Sequence, residues 1–136
     1  MIKKVTLAKE LVVTSENKVG ILANISKILA DHDINIEGIA GYGDANEAKL
    51  MLVTDDNLRA SDAIRKAGFK SVKESEVILL DLINKPGALK NVSARLAADN
   101  IDIRYMYGTI CTEGCPARIV LATNGNEKAF VLLKTT

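Results

Sequence analysis

Aromatic residues and histidine are scarce in this sequence. Phe, Trp and Tyr make up 4% of the 136 residues, Trp is absent, and His32 is the only histidine. Single-stranded nucleic acid stacks its bases on exposed aromatic side chains, and this chain has little material for such platforms. The charges also nearly cancel, with 18 Lys and Arg against 17 Asp and Glu, so the chain lacks the excess positive charge that attracts a polyanion. We therefore expect no nucleic-acid partner.

Long apolar runs are missing as well. Lys3, Lys4 and Lys9 interrupt the first ten residues, where a secretory signal would need an unbroken apolar core. No later stretch approaches the roughly 20 apolar residues of a membrane-spanning helix. We expect a cytoplasmic protein that does not enter a membrane.

Cysteine is limited to Cys111 and Cys115. One pair is too few for a disulfide framework or for a four-thiolate zinc site, so we predict no metal and no cofactor. We expect the two residues on or beside a hairpin, reduced in the cell but close enough to bridge under oxidation. That requires Cα atoms within about 7 Å of each other.

The residues of common catalytic sites are also missing. There is no second histidine to pair with a nucleophile, no Gly-x-Gly-x-x-Gly sequence and no Walker-type loop. His32 lies between Asp31 and Asp33 at a predicted helix end, where a solvated cap residue is the expected role. We predict no catalytic residues and no enzyme activity; a redox role for the two thiols is the alternative.

An internal repeat is the most informative feature that is present. A shift of 67 residues aligns the segment 17–41 with the segment 84–108 without a gap, and beyond it the shift becomes 69. The second repeat therefore has two extra residues near its Cys-Thr-Glu-Gly-Cys segment. The matching pairs include Asn17/Asn84, Lys18/Lys85, Gly20/Gly87, Leu22/Leu89, Asn24/Asn91, Ile34/Ile101, Ile36/Ile103, Gly41/Gly108, Leu52/Leu121, Thr54/Thr123 and Asn57/Asn126.

Each repeat begins with a predicted strand and helix. Glu10–Thr14 and Val77–Leu82 are short aliphatic runs that end at an Asn-Lys-x-Gly turn, which is typical of strands. Apolar residues then recur at helical spacing, so each repeat has a helix with one apolar stripe that a sheet must cover. The stripes are Ile21, Leu22, Ile25, Ile28 and Leu29 in the first repeat, and Leu89, Val92 and Leu96 in the second.

Two further strands and a second helix follow in each repeat. Alternating residues predict the second strands, and aliphatic runs after a hairpin predict the third. Asp55–Asn57 supply N-cap chemistry for the second helix of the first repeat, and Gly68 is a plausible stop. The predicted strands are Ile34–Ile36, Ile101–Ile103, Leu50–Thr54 and Arg118–Thr123, and the predicted helices are Leu58–Ala67 and Glu127 to about Lys134.

The fourth strand is displaced in one repeat. Phe69–Glu74 is predicted as the fourth strand of the first repeat, whereas the second repeat ends before an equivalent. The 67-residue shift applied backwards places Phe69 on Ile2 and Val72 on Val5. We therefore predict that Ile2–Leu7 completes the second repeat, within one chain or swapped between two.

The order β-α-β-β-α-β is that of the ferredoxin-like fold, with helices on one face of an antiparallel sheet. The predicted fold class is α+β with two such repeats. The predicted boundaries are residues 8–76 for the first repeat and 77–136 for the second, with residues 1–7 as the strand that completes the second.

The sequence Asn84-Lys85-Pro86-Gly87-Ala88-Leu89, between a strand and a helix that leads to Ile101-Asp102-Ile103, resembles the ACT domain signature. Asn17-Lys18-Val19-Gly20-Ile21-Leu22 with Ile34-Asn35-Ile36 is its counterpart in the first repeat. The resemblance covers nearly the whole chain, twice. It implies a regulatory module of amino-acid metabolism that binds amino acids between paired domains.

The residues of this motif suit an amino acid. A glycine at the helix start lets a ligand approach the backbone, where free N–H groups can bind a carboxylate. A neighbouring asparagine can both donate and accept hydrogen bonds. If the family geometry holds, the polar residue of the second strand faces the same loop. The predicted ligand residues are Asn17, Gly20, Ile21, Leu22 and Asn35 in the first repeat, and Asn84, Gly87, Ala88, Leu89 and Asp102 in the second.

Two positions depart from the family pattern. Val19 stands where the family usually has proline, which loosens the turn without removing a ligand atom. Asp102 stands where the family often has asparagine, and its carboxylate would repel a ligand carboxylate at close range. We expect the two sites to differ in affinity, or one alone to bind.

One other function remains open from the sequence. The repeated Asn-Lys-x-Gly segment is also what a plain turn and helix start would need. The chain would then be an interaction or oligomerisation module without a small ligand, because a strand edge that pairs with another chain has no distinctive sequence. Of these two functions, we expect the non-catalytic regulator, which binds an amino acid, assembles as a homodimer and acts allosterically on a metabolic enzyme.

Overall fold

A computed structural model of the protein describes residues 1–134 and shows an α+β architecture. Strands and helices alternate in the predicted order within this part of the chain. The elements are β1 (Ile2–Glu16), α1 (Ile21–Asp31), β2 (Ile36–Gly43), β3 (Glu47–Thr54), α2 (Asn57–Lys66), β4 (Ser71–Leu82), α3 (Ala88–Ala98), β5 (Ile103–Thr109), β6 (Ala117–Thr123) and α4 (Asn126–Lys134). In this range no helix is long and apolar enough to cross a membrane.

The chain forms two compact units. The first unit is Lys9–Ser75, and the second unit joins Met1–Ala8 to the chain from Glu76 onward. The long strands β1 and β4 each supply residues to both units. The sequence predicted two short strands in place of each long one. No proline or glycine interrupts either segment, so nothing ends the strand between its two halves.

The first unit has the strand order β2-β3-β1-β4. Antiparallel pairing places Leu11 opposite Leu52 and Glu16 opposite Glu47, so β1 ends where β3 begins. Alternate residues of these strands form the core with the inner faces of α1 and α2, as the period-two pattern requires. Its buried members are Leu11, Val13, Ile25, Leu29, Ile34, Leu50, Leu52, Ala60, Ile64 and Val72.

The second unit repeats this order as β1-β4-β6-β5. β4 pairs with β6, placing Leu82 opposite Ala117. Residues of β1 stand in the fourth-strand position, and Ile2, Val5 and Leu7 pack against a core that includes Leu80, Leu96 and Leu121. The prediction that the N-terminal strand completes the second repeat is confirmed.

Two local predictions need correction. The second strand begins at Ile36 rather than Ile34, because Ile34 is buried in the core at the end of α1 and its N–H donates to the Leu29 carbonyl oxygen. Leu22 and Leu89 do not belong to the buried stripes. They are 50% and 46% exposed, respectively, and lie in the first turns of α1 and α3.

A polar junction recurs at the end of the third strand in both units. The Asn57 Oδ1 atom accepts hydrogen bonds from the backbone N–H and the hydroxyl of Thr54, at 3.2 and 2.7 Å, and Asn57 Nδ2 donates to the Lys9 carbonyl oxygen at 2.9 Å. Asn126 makes the same three bonds, to Thr123 twice and to the Glu76 carbonyl oxygen. This explains why Thr54/Thr123 and Asn57/Asn126 match in the repeat: each asparagine ties a strand end and a helix start to the first strand of its unit.

Candidate functional site

A cleft of about 670 Å³ opens at the start of α1 in the first unit. This volume lies within the roughly 300–1,000 Å³ of small-molecule sites. The end of β1, the following loop, the first turns of α1 and the α2–β4 loop form its walls. The lining residues are Thr14, Ser15, Glu16, Lys18, Val19, Gly20, Ile21, Asn24, Ala67, Gly68, Phe69, Lys70 and Ser71.

The start of α1 presents backbone donors to this cleft. Gly20 is the N-cap residue, and no side chain caps the first turn of the helix. The first N–H groups of a helix have no partner within it, and together with the helix dipole they attract an anion. A Cβ atom built on Gly20 would meet nothing within 4 Å, so the backbone is open on this side. The cleft therefore has one wall suited to a carboxylate.

Charges of both signs stand at the cleft. The Lys18 ammonium and the Glu16 carboxylate are 3.7 Å apart, and their side chains are 68% and 77% exposed. Such an exposed pair contributes little to stability, so a ligand can replace it at small cost. Lys70 lines the opposite wall. A zwitterion would find a cation and an anion here beside the helix start.

The Asn17 side chain has another contact. Its Nδ2 donates to the carbonyl oxygen of Asp44 at the tip of the β2–β3 hairpin, and Asn17 is not among the residues that line the cleft. The Asp44 carboxylate accepts the N–H groups of Asn46 and Glu47, which lower the pKa of Asp44. The closed turn is therefore present at neutral pH and is lost only as the pH falls through this lowered value. Asn17 fastens the loop to the hairpin rather than pointing at a ligand.

The equivalent surface of the second unit has a smaller cleft of about 510 Å³, lined by Met1, Gly87, Lys90, Asn91, Ala94, Arg95 and Ala98. Gly87 caps α3 as Gly20 caps α1, but the Cε atom of Met1 lies 3.9 Å from the position of a Gly87 Cβ. The Ala88 N–H, one of the predicted donors, already donates to the Lys85 carbonyl oxygen at 3.2 Å. Among the described residues, the larger of these two clefts and the glycine with no neighbouring atom within 4 Å both belong to the first unit.

Asn84 has the same kind of contact as Asn17. Its Nδ2 donates to the Cys111 carbonyl oxygen at 3.3 Å. Cys111 and Cys115 lie in the β5–β6 hairpin with Cα atoms 5.4 Å apart, as predicted. The structure joins them in a disulfide, which agrees with the prediction that they can bridge, and their reduced state in the cell stays a prediction.

Asn35 and Asp102 lie at the opposite end of their sheets from the helix starts. The Asn35 N–H donates to the Asp55 carboxylate at 3.0 Å, beyond the end of β3, whereas Glu16 pairs with the beginning of β3. A strand of that length separates the two ends by about 25 Å. In the second unit the Asp102 N–H donates to Asn124 at 3.1 Å, again at the far end. The prediction that these residues face the loop of their own repeat is wrong, because the helix carries the chain back along the sheet.

Of the thirteen residues that line the cleft, only Gly20 and Ile21 were among the predicted ligand residues. The eleven others include Asn24, Phe69, Lys70 and Ser71. Asn24 matches Asn91 in the repeat, which was the available signal, but a helix position alone does not show what it faces. Phe69, Lys70 and Ser71 follow α2, and only tertiary packing brings the α2–β4 loop beside α1.

Gly20 and Gly87 have positive φ angles of 92° and 89°, which L residues with side chains rarely adopt. We expect Gly20→Ala to destabilise the first unit by about 1–2 kcal/mol, the strain of a left-handed residue. Gly20→Asn should lose less, because asparagine tolerates this region best. Urea unfolding at an unchanged m value measures both, and equal stability of Gly20→Ala and wild type would contradict the strain. The backbone thus explains both glycines without a ligand, and a test of binding must use another position.

Comparison with known families finds a match within the first unit. Residues 9–63 match the ACT domain family. The match begins in β1 and contains the loop before α1, the helix itself, both following strands and most of α2. The ACT domain match therefore covers most of the first unit.

Solved structures share the architecture of the whole chain. A Bacteroides thetaiotaomicron protein, BT0572, is 28% identical with a TM-score of 0.87, over 96% of this chain and 88% of that one. The ligand-free regulatory subunit of aspartate kinase from Thermus thermophilus is 12% identical with a TM-score of 0.65, over 98% and 96%. Aspartokinase III of E. coli, in complex with lysine and aspartate, is 19% identical with a TM-score of 0.53, over 98% of this chain and 32% of that one.

These comparisons differ in what they establish. The two aspartate kinase structures, at 12% and 19% identity, show a shared fold. No curated protein matches the sequence. No catalytic domain is evident in residues 1–134, and in that range no group of three or more His, Cys, Asp or Glu residues is placed to hold a metal.

Proposed function

We propose that this protein is a non-catalytic regulator that binds a free amino acid in the cleft of its first unit. The observation that carries the proposal is the open, uncapped start of α1 on a cleft of ligand size. The ACT domain match at residues 9–63 supports an amino acid as the ligand class.

The proposed binding mode follows from the charges of the cleft. The ligand carboxylate lies toward the N–H groups of Gly20, Ile21 and Leu22 and toward the Lys18 ammonium. The ligand ammonium replaces Lys18 at the Glu16 carboxylate, which is 3.7 Å from it in the structure. The ligand side chain lies between Phe69 and the first turn of α1, where the apolar lining selects its size.

A homodimer is part of the proposal. Asn35, the polar residue of the family motif, is about 25 Å of strand away from the cleft of its own unit, too far to reach the same amino acid. A second copy of the chain can supply Asn35 to the cleft rim. Binding would then stabilise the dimer, because the site is complete only between paired ACT domains.

The biological output requires a partner. No catalytic domain is evident in the described residues, and we propose that the regulator changes the activity of another protein, a cytoplasmic enzyme of amino-acid metabolism. The ligand would act allosterically by stabilising the assembly state that binds this enzyme.

Thermal unfolding with each of the twenty amino acids tests the proposal. Lysine and aspartate come first, since aspartokinase III of E. coli was crystallised with both. A ligand at ten times its dissociation constant stabilises the native state by about 1.4 kcal/mol, which raises the melting temperature by several degrees. Light scattering on the same samples should show a larger dimer fraction with the active ligand.

Two matched variants locate the site. Asn24 and Asn91 are equivalent exposed positions on α1 and α3, and Asn24 lines the cleft. Asn24→Tyr should fill the cleft and abolish the shift, whereas Asn91→Tyr should leave it unchanged. Loss of the shift in Asn91→Tyr alone would move the site to the second unit. No shift with any amino acid would reject ligand binding and favour the interaction module.

A further inference from the structure

The disulfide of the second unit occupies the place of a hydrogen-bonded turn in the first. The shift of 67 residues aligns Cys111 with Asp44, and both backbone carbonyls accept a hydrogen bond from the equivalent asparagine, Asn84 or Asn17. In the first unit the Asp44 carboxylate closes the hairpin by binding two backbone N–H groups. In the second unit the bond from Cys111 to Cys115 closes it. Both hairpins accept the same hydrogen bond from an asparagine, but only the hairpin of the second unit is closed by a bond that can be reduced.

The disulfide is accessible. Cys115 is exposed and Cys111 half-buried. Both line a pocket of about 180 Å³ that also includes Lys3, Asn84 and Pro116. Lys3 brings a positive charge to this pocket, and thiol–disulfide exchange begins with the attack of an anionic thiolate, which such a charge attracts. A small thiol can therefore reach the bond without unfolding the unit.

The closed ring is short, with only three residues between the two cysteines. A disulfide restricts the unfolded chain less when its loop is shorter, so this one adds little to global stability. Its reduction would leave the core of the second unit folded. The change would be confined to the hairpin and to what the hairpin holds.

We propose that Cys111 and Cys115 form a thiol–disulfide exchange site, whose substrate is an external dithiol and whose oxidation state controls the loop that carries Asn84. A thiolate of the dithiol attacks Cys115 Sγ and breaks the disulfide, and Cys111 leaves as a thiolate that takes up a proton. The second thiolate of the dithiol then attacks the dithiol sulfur that is bonded to Cys115. Cys115 leaves as a thiolate, which takes up the other proton. The dithiol is oxidised to a cyclic disulfide, and the protein gains two electrons and two protons.

Reduction removes the closure that fixes the Cys111 carbonyl, so the Asn84 hydrogen bond weakens. The loop between β4 and α3 is then free to move, while the first unit keeps its own turn through Asp44. This function is separate from the amino-acid cleft, because every residue it uses lies in the second unit.

The test is to titrate the native protein with mixtures of reduced and oxidised dithiothreitol and to trap free thiols by alkylation. The mass of the alkylated protein is then measured. Two alkyl groups should appear together and reversibly without denaturant. Hydrogen exchange should then rise about tenfold or more at residues 84–88 and 110–116. The equivalent segments 17–21 and 43–47 of the first unit are the internal control and should not change. Cys115→Ser should show the fast exchange with or without dithiol.

Three outcomes would overturn the proposal. A bond that resists dithiothreitol until the chain is unfolded is a structural disulfide. Thiols that do not reoxidise are inert. Reversible reduction without faster hydrogen exchange at residues 84–88 would show that the disulfide does not control the loop that carries Asn84. The variant Asn84→Ala is the control for this measurement. It should exchange fast at these residues in both redox states, because it lacks the hydrogen bond.

Discussion

Removal of residues 1–7 should leave the second unit unable to hold its fold. These residues supply the fourth strand of that unit, and Ile2, Val5 and Leu7 cover its core. Three partly buried aliphatic side chains at roughly 1 kcal/mol each amount to about 3 kcal/mol, before the backbone bonds are counted. The Met1 carbonyl oxygen also accepts the Ile83 N–H at 2.8 Å, at the end of β4. The loss approaches the whole stability of many small domains.

The expected result is aggregation, because the deletion exposes a strand edge beside apolar core residues. Light scattering and urea unfolding measure it. Val5→Asp in the full chain should reproduce much of the destabilisation, whereas Lys4→Asp, at the neighbouring exposed position, should change the free energy of unfolding by less than about 0.5 kcal/mol. A truncated protein as stable and monodisperse as the full chain would contradict this role of the strand.

Asn57→Ala should destabilise the first unit by about 3 kcal/mol. The substitution removes three hydrogen bonds, two to Thr54 and one to the Lys9 carbonyl oxygen, each contributing roughly 1 kcal/mol. Thr54 is only 8% exposed, so its N–H and hydroxyl would lose their partner in a site with little access to water. Urea unfolding of the variant measures the loss.

Asn57→Asp distinguishes the two roles of this side chain, as an acceptor for Thr54 and as a donor to Lys9. It keeps an acceptor for Thr54 but loses the donor to Lys9 and places a carboxylate against a carbonyl oxygen. We expect it to remain destabilised at neutral pH and to recover in part in acid, where the protonated carboxyl can donate. Asn126→Ala should show the same loss in the second unit, since Asn126 makes the same bonds there. A loss below about 1 kcal/mol in both alanine variants would show that water replaces the side chain.

The candidate site was only half visible in the sequence. Gly20 and the donors after it were correctly placed at a helix start, because a glycine between a strand and an amphipathic stripe marks that position. The roles of the two asparagines were not visible, since Asn17 and Asn84 contact hairpins that lie 27 residues further along the chain. The contact of Met1 with the second cleft depends on the N-terminal strand, which no local pattern connects to Gly87.

The sequence by itself determined the repeat, the order of strands and helices, and the N-terminal strand of the second unit. These follow from periodicity and self-similarity, which are local properties of the chain. The tertiary structure alone decided which faces and ends meet. The helices carry the chain back along the sheet, so Asn35 and Asp102 lie far from the glycines of their own repeats. The packing of the α2–β4 loop beside α1 makes the cleft. Glu10 of β1 is completely buried, and the Ser75 hydroxyl of β4 donates to its carboxylate. Such contacts join residues distant in sequence, and no local preference of either partner specifies them.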